Sequence, residues 1–250
     1  MAHKPDRERL DVLLVERGLA ASRQKAQAMI LAGEVQADGA RVEKAGQLVA
    51  SNARLEVHSR LQKYASRAGL KLEGALEDFG ISPVGRVCLD VGSSTGGFTD
   101  CLLQHGAARV YAVDVTVNQL AWKLQQDPRV VRLERNAREL SPADLPEAVD
   151  LVVMDVSFIS ATKVIGPASS VARPGADVVV LVKPQFELRR EQVGSGGIVR
   201  EAKLHEEAVA RVREAVESAG IRVLGVRPSR LPGAEGNQEF FLHARRAALE

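Results

Sequence analysis

An α/β fold is what this sequence predicts: a doubly wound, mainly parallel sheet preceded by a small α-plus-β unit. Three observations lead there. From Leu70 onward, apolar runs of strand length alternate with stretches of helical period. The first of those runs, Val87 to Val91, breaks into the glycine-rich turn of LDVGSSTGGFTD and then into a helix. Ahead of residue 60 the pattern differs, with two short helices and hairpin pieces punctuated by basic side chains.

In the small unit, Leu10, Leu13, Leu14 and Arg17 recur at helical spacing, and Gly18 ends that helix. Ser22 is an N-cap for a second helix carrying Ala26, Met29 and Ile30, with Gly33 as its stop. Val35 and Ala37, an Asp38-Gly39 turn and Arg41-Val42 predict a hairpin, and Leu55-Glu56-Val57 a last short strand. The polar segment from His58 to Lys63 reads as a linker, dividing the chain into residues 1–60 and 61–250. Beyond it, strands are predicted at 87–91, 109–114, 130–133, 149–155, 176–182, 221–226 and 239–244. Helices are predicted at 70–79, 97–105, 118–125, 161–172 and 202–219. That alternation puts helices on both faces of the sheet and a ligand site at the carboxyl ends of its strands.

Composition narrows the function classes. An apolar fraction of 45% with 26% charged residues is that of a globular protein able to bury a core. The net charge is only +2, but residues 1–73 hold 13 Lys and Arg against 9 Asp and Glu, so the basic excess sits in the small unit. Such a module is compatible with nucleic acid, and Arg7, Arg9, Arg23, Lys25, Arg41 and Lys44 are its candidate RNA contacts. Cys88 and Cys101 fit neither a disulfide framework nor a metal motif, which implies a reducing, cytoplasmic setting. The histidines show no ligand spacing, so no metal is expected. No signal-peptide core follows Met1 to Arg9, and the longest apolar runs fall far short of the ~20 residues that span a bilayer. No membrane partner is expected.

The glycine turn discriminates among cofactors. A dinucleotide fingerprint needs GxGxxG, and Ser94 stands where its second glycine belongs. A P-loop needs Gly-Lys-Ser/Thr, and Gly97 is followed by Phe98, so no lysine is available to a phosphate. Asp90, just before the turn, would repel a diphosphate and suits a ligand with a cationic amino group. S-adenosylmethionine is such a ligand, with an ammonium, a sulfonium and no phosphate. Asp114, closing the next strand, can accept both ribose hydroxyls of a bound nucleoside.

Charged residues recur at the later strand ends. Asp155 closes a strand in VVMDVSFIS, Lys183 closes the following one in VLVKPQFE, and Glu239 opens another in QEFFLHA. Lys71 lies on the first helix of the large unit, in YASRAGLKL. Opposite charges at consecutive carboxyl ends, beside a cofactor loop, are buried only where they pair or act.

These segments, together with RLDVLLVERGLAASRQKAQAMILAGEV, AVDV, GSGGIVRE and NQEFF, occur in the order of the TlyA family, which the chain resembles over residues 8–244. That family comprises bacterial ribosomal-RNA ribose 2′-O-methyltransferases, often labelled hemolysins. The resemblance implies a ribosomal-protein-type RNA-binding domain joined to an FtsJ-like domain. The latter would have the Rossmann-like class I methyltransferase fold, with a seven-stranded, mostly parallel sheet. It also implies an S-adenosylmethionine pocket lined by Asp90, Gly92, Ser94, Thr95, Gly96, Gly97 and Phe98, with Asp114 on the ribose and Asn136 on the adenine. Ribosomal RNA in ribosomal subunits is the implied partner and cytidine the implied target. A Lys-Asp-Lys-Glu tetrad falls on Lys71, Asp155, Lys183 and Glu239. The chain departs from the family at Ala68 and Ser195, where Gly and Lys are usual; the second change removes a cation from the 191–200 loop.

A ribose 2′-hydroxyl is a weak acid, so the protein's task is to position and deprotonate it. Lys183 is the expected general base, with Lys71 favouring its neutral form and orienting the ribose, and Asp155 and Glu239 fixing both lysines. Amino-methylation commonly uses Asn/Asp-Pro-Pro-aromatic, whereas the chain reads Asp155-Val156-Ser157-Phe158. Pyrimidine carbon methylation needs a cysteine nucleophile, and Cys88 and Cys101 read as small core residues. Arg9-Leu10-Asp11 is similar to a pseudouridine-synthase triplet but opens a helix and reads as local packing. A non-catalytic RNA-binding or ribosome-assembly factor is the alternative that the intact tetrad argues against. A membrane-lytic protein would need an insertion segment that the sequence lacks.

Overall fold

The computed structural model describes residues 6–247 except 21, 32, 33, 43, 58–62, 234 and 235, and the side chain of Arg41 is also outside the description. The predicted helix stop at Gly33 and most of the predicted linker lie outside the described residues. The chain forms two compact units, Met1–Gln62 and Lys63–Glu250.

In the first unit β1 (Arg7–Arg9) leads into α1 (Leu10–Glu16), followed by α2 (Arg23–Leu31). The Ser22 hydroxyl accepts from the Lys25 backbone N–H at 3.2 Å, the cap predicted for α2. Strands β2 (Val35–Ala37) and β3 (Ala40–Arg41) form the expected hairpin. Its turn residues have positive φ, 50° at Asp38 and 78° at Gly39, which is the tight-turn geometry that favours this pair. The sequence reading missed β4 (Leu48–Ala50), which pairs with β1; β5 (Leu55–Val57) pairs with β2. Leu10, Leu14, Ala26, Ile30 and Val35 form the core beneath.

The second unit runs α3 (Ala68–Phe79), β6 (Val87–Val91), α4 (Gly97–Gln104), β7 (Arg109–Asp114), α5 (Trp122–Gln125), β8 (Val130–Glu134), β9 (Val149–Met154), α6 (Ile165–Ser170), β10 (Ala172–Val182), α7 (Pro184–Glu187), α8 (Ala202–Ser218), β11 (Ile221–Pro228) and β12 (Phe240–Arg246). Its seven strands form one sheet in the order β11-β12-β10-β9-β6-β7-β8. β12 is antiparallel to both of its neighbours, and the remaining pairs are parallel. Successive residues of a strand point to opposite faces, and both faces are covered here. Val178, Val180 and Val182 pack with α6 and α8, while Val179 and Leu181 pack with α3 and α4. That double burial explains the unbroken apolar run of β10.

Two predicted helices are broken. In 118–125 the chain makes a 3₁₀ turn, Val117–Gln119, then extends through Leu120 and Ala121 before α5. The extension lets the Ala121 N–H donate to Thr95 O at 3.1 Å, tying this segment to the glycine turn. In 161–172 a 3₁₀ turn, Ala161–Lys163, precedes a shorter α6. Pro167 has no N–H for the carbonyl four residues back, so a continuous helix cannot pass residue 163.

Candidate active site

Strand register assembles the site at the carboxyl edge of the large sheet. Val91 and Met154 are register partners, so Gly92 and Asp155 leave the sheet side by side, and Asp155 N–H donates to Val91 O at 3.0 Å. Val182 and Phe240 are partners as well, which brings Lys183 beside Glu239 because β12 runs the other way. Helix α3 contributes Lys71. The four tetrad residues resolve into two ion pairs, Lys183 Nζ to Asp155 Oδ1 and Lys71 Nζ to Glu239 Oε2, each at 2.5 Å. None of these side chains is more than 17% exposed. Lys183 also donates to Ser157 Oγ at 2.8 Å.

The glycine turn wraps this edge at close range. Gly92 has φ +83°, and a Cβ there would lie 2.5 Å from the Asp155 carbonyl, so only glycine lets the turn pass. A Cβ on Gly97 would fall 2.1 Å from Ser66 Oγ, which seats the segment ahead of α3 against the turn. Gly96 faces the other way: its missing side chain makes room for Leu120 and Leu124. Gly96, expected from sequence at the cofactor, lines neither cavity of the site.

Two cavities open here. The larger, about 630 Å³, is lined by Gly92, Ser94, Asp114 and Asn136 of the predicted cofactor residues, with Asp155, Ser157 and Phe158. The smaller, about 140 Å³, is lined by Thr95, Gly97, Phe98 and Lys183, with Ser66 and Ala68. Gly92, Ser94, Asp155 and Ser157 border both. Asp114 is fixed in place, its carboxylate accepting from the backbone N–H groups of Ser94 (2.9 Å) and Thr116 (3.2 Å). Asp90 lines neither cavity. It is fully buried, accepts from Thr99 Oγ1 at 2.6 Å, and its Oδ1 has no hydrogen-bond partner among the described residues. Burial, reinforced by the nearby Asp155 and Asp114 charges, pushes its carboxyl up to about 7.

Ser157 and Phe158 were not among the residues chosen from sequence, although both lie within three residues of Asp155. Phe158 is 92% exposed with φ +64°, a strained backbone for an aromatic residue. Its ring leans on Phe186, 5.4 Å between centroids. Arg135 and Arg138 also line the larger cavity and were missed.

The residues present fit S-adenosylmethionine. Asp114 offers a fixed carboxylate to a ribose at the wall of the larger cavity, Asp90 sets a buried acidic group just ahead of the turn, and no lysine serves a phosphate there. Both cysteines are buried, with thiols pushed up to about 12 chiefly by burial, which suits core residues and not nucleophiles.

In the small unit the basic candidates separate. Arg9 (Nε and Nη2) and Arg23 (Nε) donate to the buried Asp11 carboxylate at 2.9–3.0 Å, joined by Gln27 at 2.7 Å. The Arg9–Asp11 pairing is the local packing read from the triplet. Arg7, Lys25 and Lys44 are exposed, and the Arg41 side chain lies outside the description.

Comparison with known proteins adds two domain matches: an FtsJ-like methyltransferase over residues 64–246 and an S4 domain over 8–55. The chain is 48% identical to the 16S/23S rRNA (cytidine-2′-O)-methyltransferase TlyA of Mycobacterium tuberculosis H37Rv, over 96% of this chain and 90% of that one. It is 41% identical to Hemolysin A of Brachyspira hyodysenteriae, over 94% and 98%. A Streptococcus thermophilus structure that carries the hemolysin name superposes with TM-score 0.77 and 40% identity, covering 98% of this chain and 90% of that one.

Proposed function

Because this chain belongs to the TlyA family of FtsJ-like methyltransferases, we propose that it methylates a ribose 2′-hydroxyl of ribosomal RNA, at cytidine, in the cytoplasm. The cofactor is S-adenosylmethionine, whose sulfonium supplies an already electrophilic methyl group. The observation that carries the reading is the Lys183–Asp155 pair beside the glycine turn, with Asp155 bordering both cavities and Lys183 lining the smaller.

The chain's own residues have three tasks. Asp114 holds the ribose end of the cofactor, with Gly92, Ser94 and Asn136 lining the same cavity, and Asp90, buried just ahead of the turn, favours the ammonium through its charge and not by contact. Asp155 and Ser157 aim the Lys183 amine at the substrate hydroxyl; once its own proton has left to solvent, the neutral amine takes the hydroxyl proton as the methyl is transferred. Lys71, held by Glu239, presents a cation to the ribose and its phosphate. Phe158 offers its exposed face to an unstacked base, the usual way a protein grips a single-stranded nucleotide. Residues 1–60 act as the RNA-binding domain and 61–250 as the methyltransferase domain. Arg7, Lys25 and Lys44 contact phosphates directly, while Arg9 and Arg23 do so from their seat on Asp11.

Incubation with labelled cofactor and bare ribosomal subunits, followed by mapping of modified riboses, tests the reading. A 2′-O-methylcytidine in either subunit RNA supports it. Absence of any modified ribose would leave the assembly-factor alternative, and lysis of erythrocytes by the purified protein would revive the hemolysin name. No helix among the described residues is long and apolar enough to cross a membrane.

A further inference from the structure

The loops after β9 and β10 carry Asp155 and Lys183, and three rungs join them. The first is Lys183 itself, on Asp155 and Ser157. The second is the ring contact of Phe158 with Phe186. The third is Glu187, whose Oε2 accepts from Ser160 Oγ at 2.5 Å and whose Oε1 accepts from the Ala161 N–H at 2.8 Å. Glu187 touches neither cavity. Its side chain is buried, and burial pushes its carboxyl up against the opposing effect of those two bonds. Its backbone is held from behind, where Arg211 of α8 donates to Glu187 O at 2.9 Å. A carboxylate buried at such cost, with both oxygens spent on the neighbouring loop, fixes geometry. Between the first and third rungs lies Phe158, in a left-handed conformation that persists only if both flanks of its loop are pinned.

We propose that Glu187 is a positioning residue for methyl transfer. By anchoring Ser160 and Ala161, it sets the distance between the Asp155/Ser157 side and the Lys183 amine, and it holds Phe158 outward. This rests on the reading of Lys183 as the base. The Glu187→Gln side chain can keep both bonds of the third rung, its oxygen accepting from Ala161 N–H and its amide donating to Ser160 Oγ; Glu187→Ala keeps neither.

The experiment compares Glu187→Ala, Glu187→Gln and Ser160→Ala on bare ribosomal subunits, with Lys183→Arg alongside. For Glu187→Ala, kcat should fall on the order of 10-fold to 100-fold while cofactor affinity by calorimetry stays unchanged. Hydrogen exchange at the Ala161 amide should speed up in the same variant. Glu187→Gln should restore both the rate and the protection. Ser160→Ala, which loses one of those two bonds and is the milder change, should fall between them and serves if Glu187→Ala does not fold. Wild-type kcat in Glu187→Ala and Ser160→Ala would overturn the proposal, as would equal loss in the Gln variant or loss of cofactor binding in step with rate. Turnover by Lys183→Arg would instead sink the base assignment, leaving the Ala–Gln contrast to report on loop position alone.

Discussion

The large sheet holds two buried carboxylates, Asp177 on β10 and Asp90 on β6, and the two are wired differently. Asp177 accepts from Arg86 at 2.7 Å and twice from Arg245, at 3.0 and 2.8 Å, with His243 Nε2 2.9 Å away. Burial alone would raise this carboxyl, but the bonds from His243, Arg86 and Arg245 outweigh it and hold Asp177 well below the ordinary range. At the carboxyl edge Asp90 is just as buried, yet it has one side-chain donor and an oxygen left over, and it sits near 7. Asp11 repeats the Asp177 pattern in the small unit, held low chiefly by its bonds from Arg9 against the cost of burial. Where the fold supplies every partner, a buried carboxylate holds structure. Where it leaves one out, as at Asp90, burial wins and the carboxyl is pushed up instead.

That contrast can be broken most sharply at Lys183. Arginine keeps the charge beside Asp155 but stays protonated, so Lys183→Arg should lower the single-turnover rate by roughly 10²- to 10⁴-fold with cofactor affinity intact. Asp177→Asn should do the opposite. It strands Arg86, Arg245 and His243, costing about 3 kcal/mol of unfolding free energy in urea titration while kcat below the melting range is unchanged. A catalytic defect there would erase the distinction. Phe158→Ala should weaken RNA binding by about 1–3 kcal/mol, read as a raised KM for subunits, because one stacking face is lost. Its thermal midpoint should hold or rise.

Asp90 gives the smallest and most diagnostic effect. Its carboxyl in the fold lies above the ~3.9 of an unfolded chain, so ionising it removes stability as pH climbs from about 4 to about 7. A cationic cofactor bound at the neighbouring turn favours the ionised form through charge. Cofactor affinity should therefore rise with pH up to about 7, by less than ~10-fold per unit, and level off above. Calorimetry at pH 6 in two buffers of different ionisation heat should detect proton release on binding, and Asp90→Asn should abolish it.

The legible parts of the molecule were those where local pattern and tertiary demand agree. Val178 to Val182 reads as a buried strand because both faces of the sheet need apolar cover. The glycine turn was legible because Gly92 must pass the Asp155 carbonyl, a constraint that leaves its mark on one residue type. The helix expected at 118–125 broke because Ala121 bonds to Thr95, a partner that no local window contains. The tetrad members were found through the resemblance, but their pairing was not: which lysine meets which carboxylate depends on the register of β10 against β12. Ser157 and Glu187 escaped because their value lies in what they touch across two loops. The Arg9–Asp11 contact is legible in the triplet, but that Arg23 shares the same carboxylate is not, because twelve residues separate it from Asp11.

The placement of β12 has a consequence for how the protein is made. This strand inserts between β10 and β11, both earlier in the chain, so the sheet stays in two pieces until synthesis has passed residue 246. Lys71 waits 168 residues for Glu239. A growing chain can therefore shape its cofactor turn long before it can complete its second ion pair.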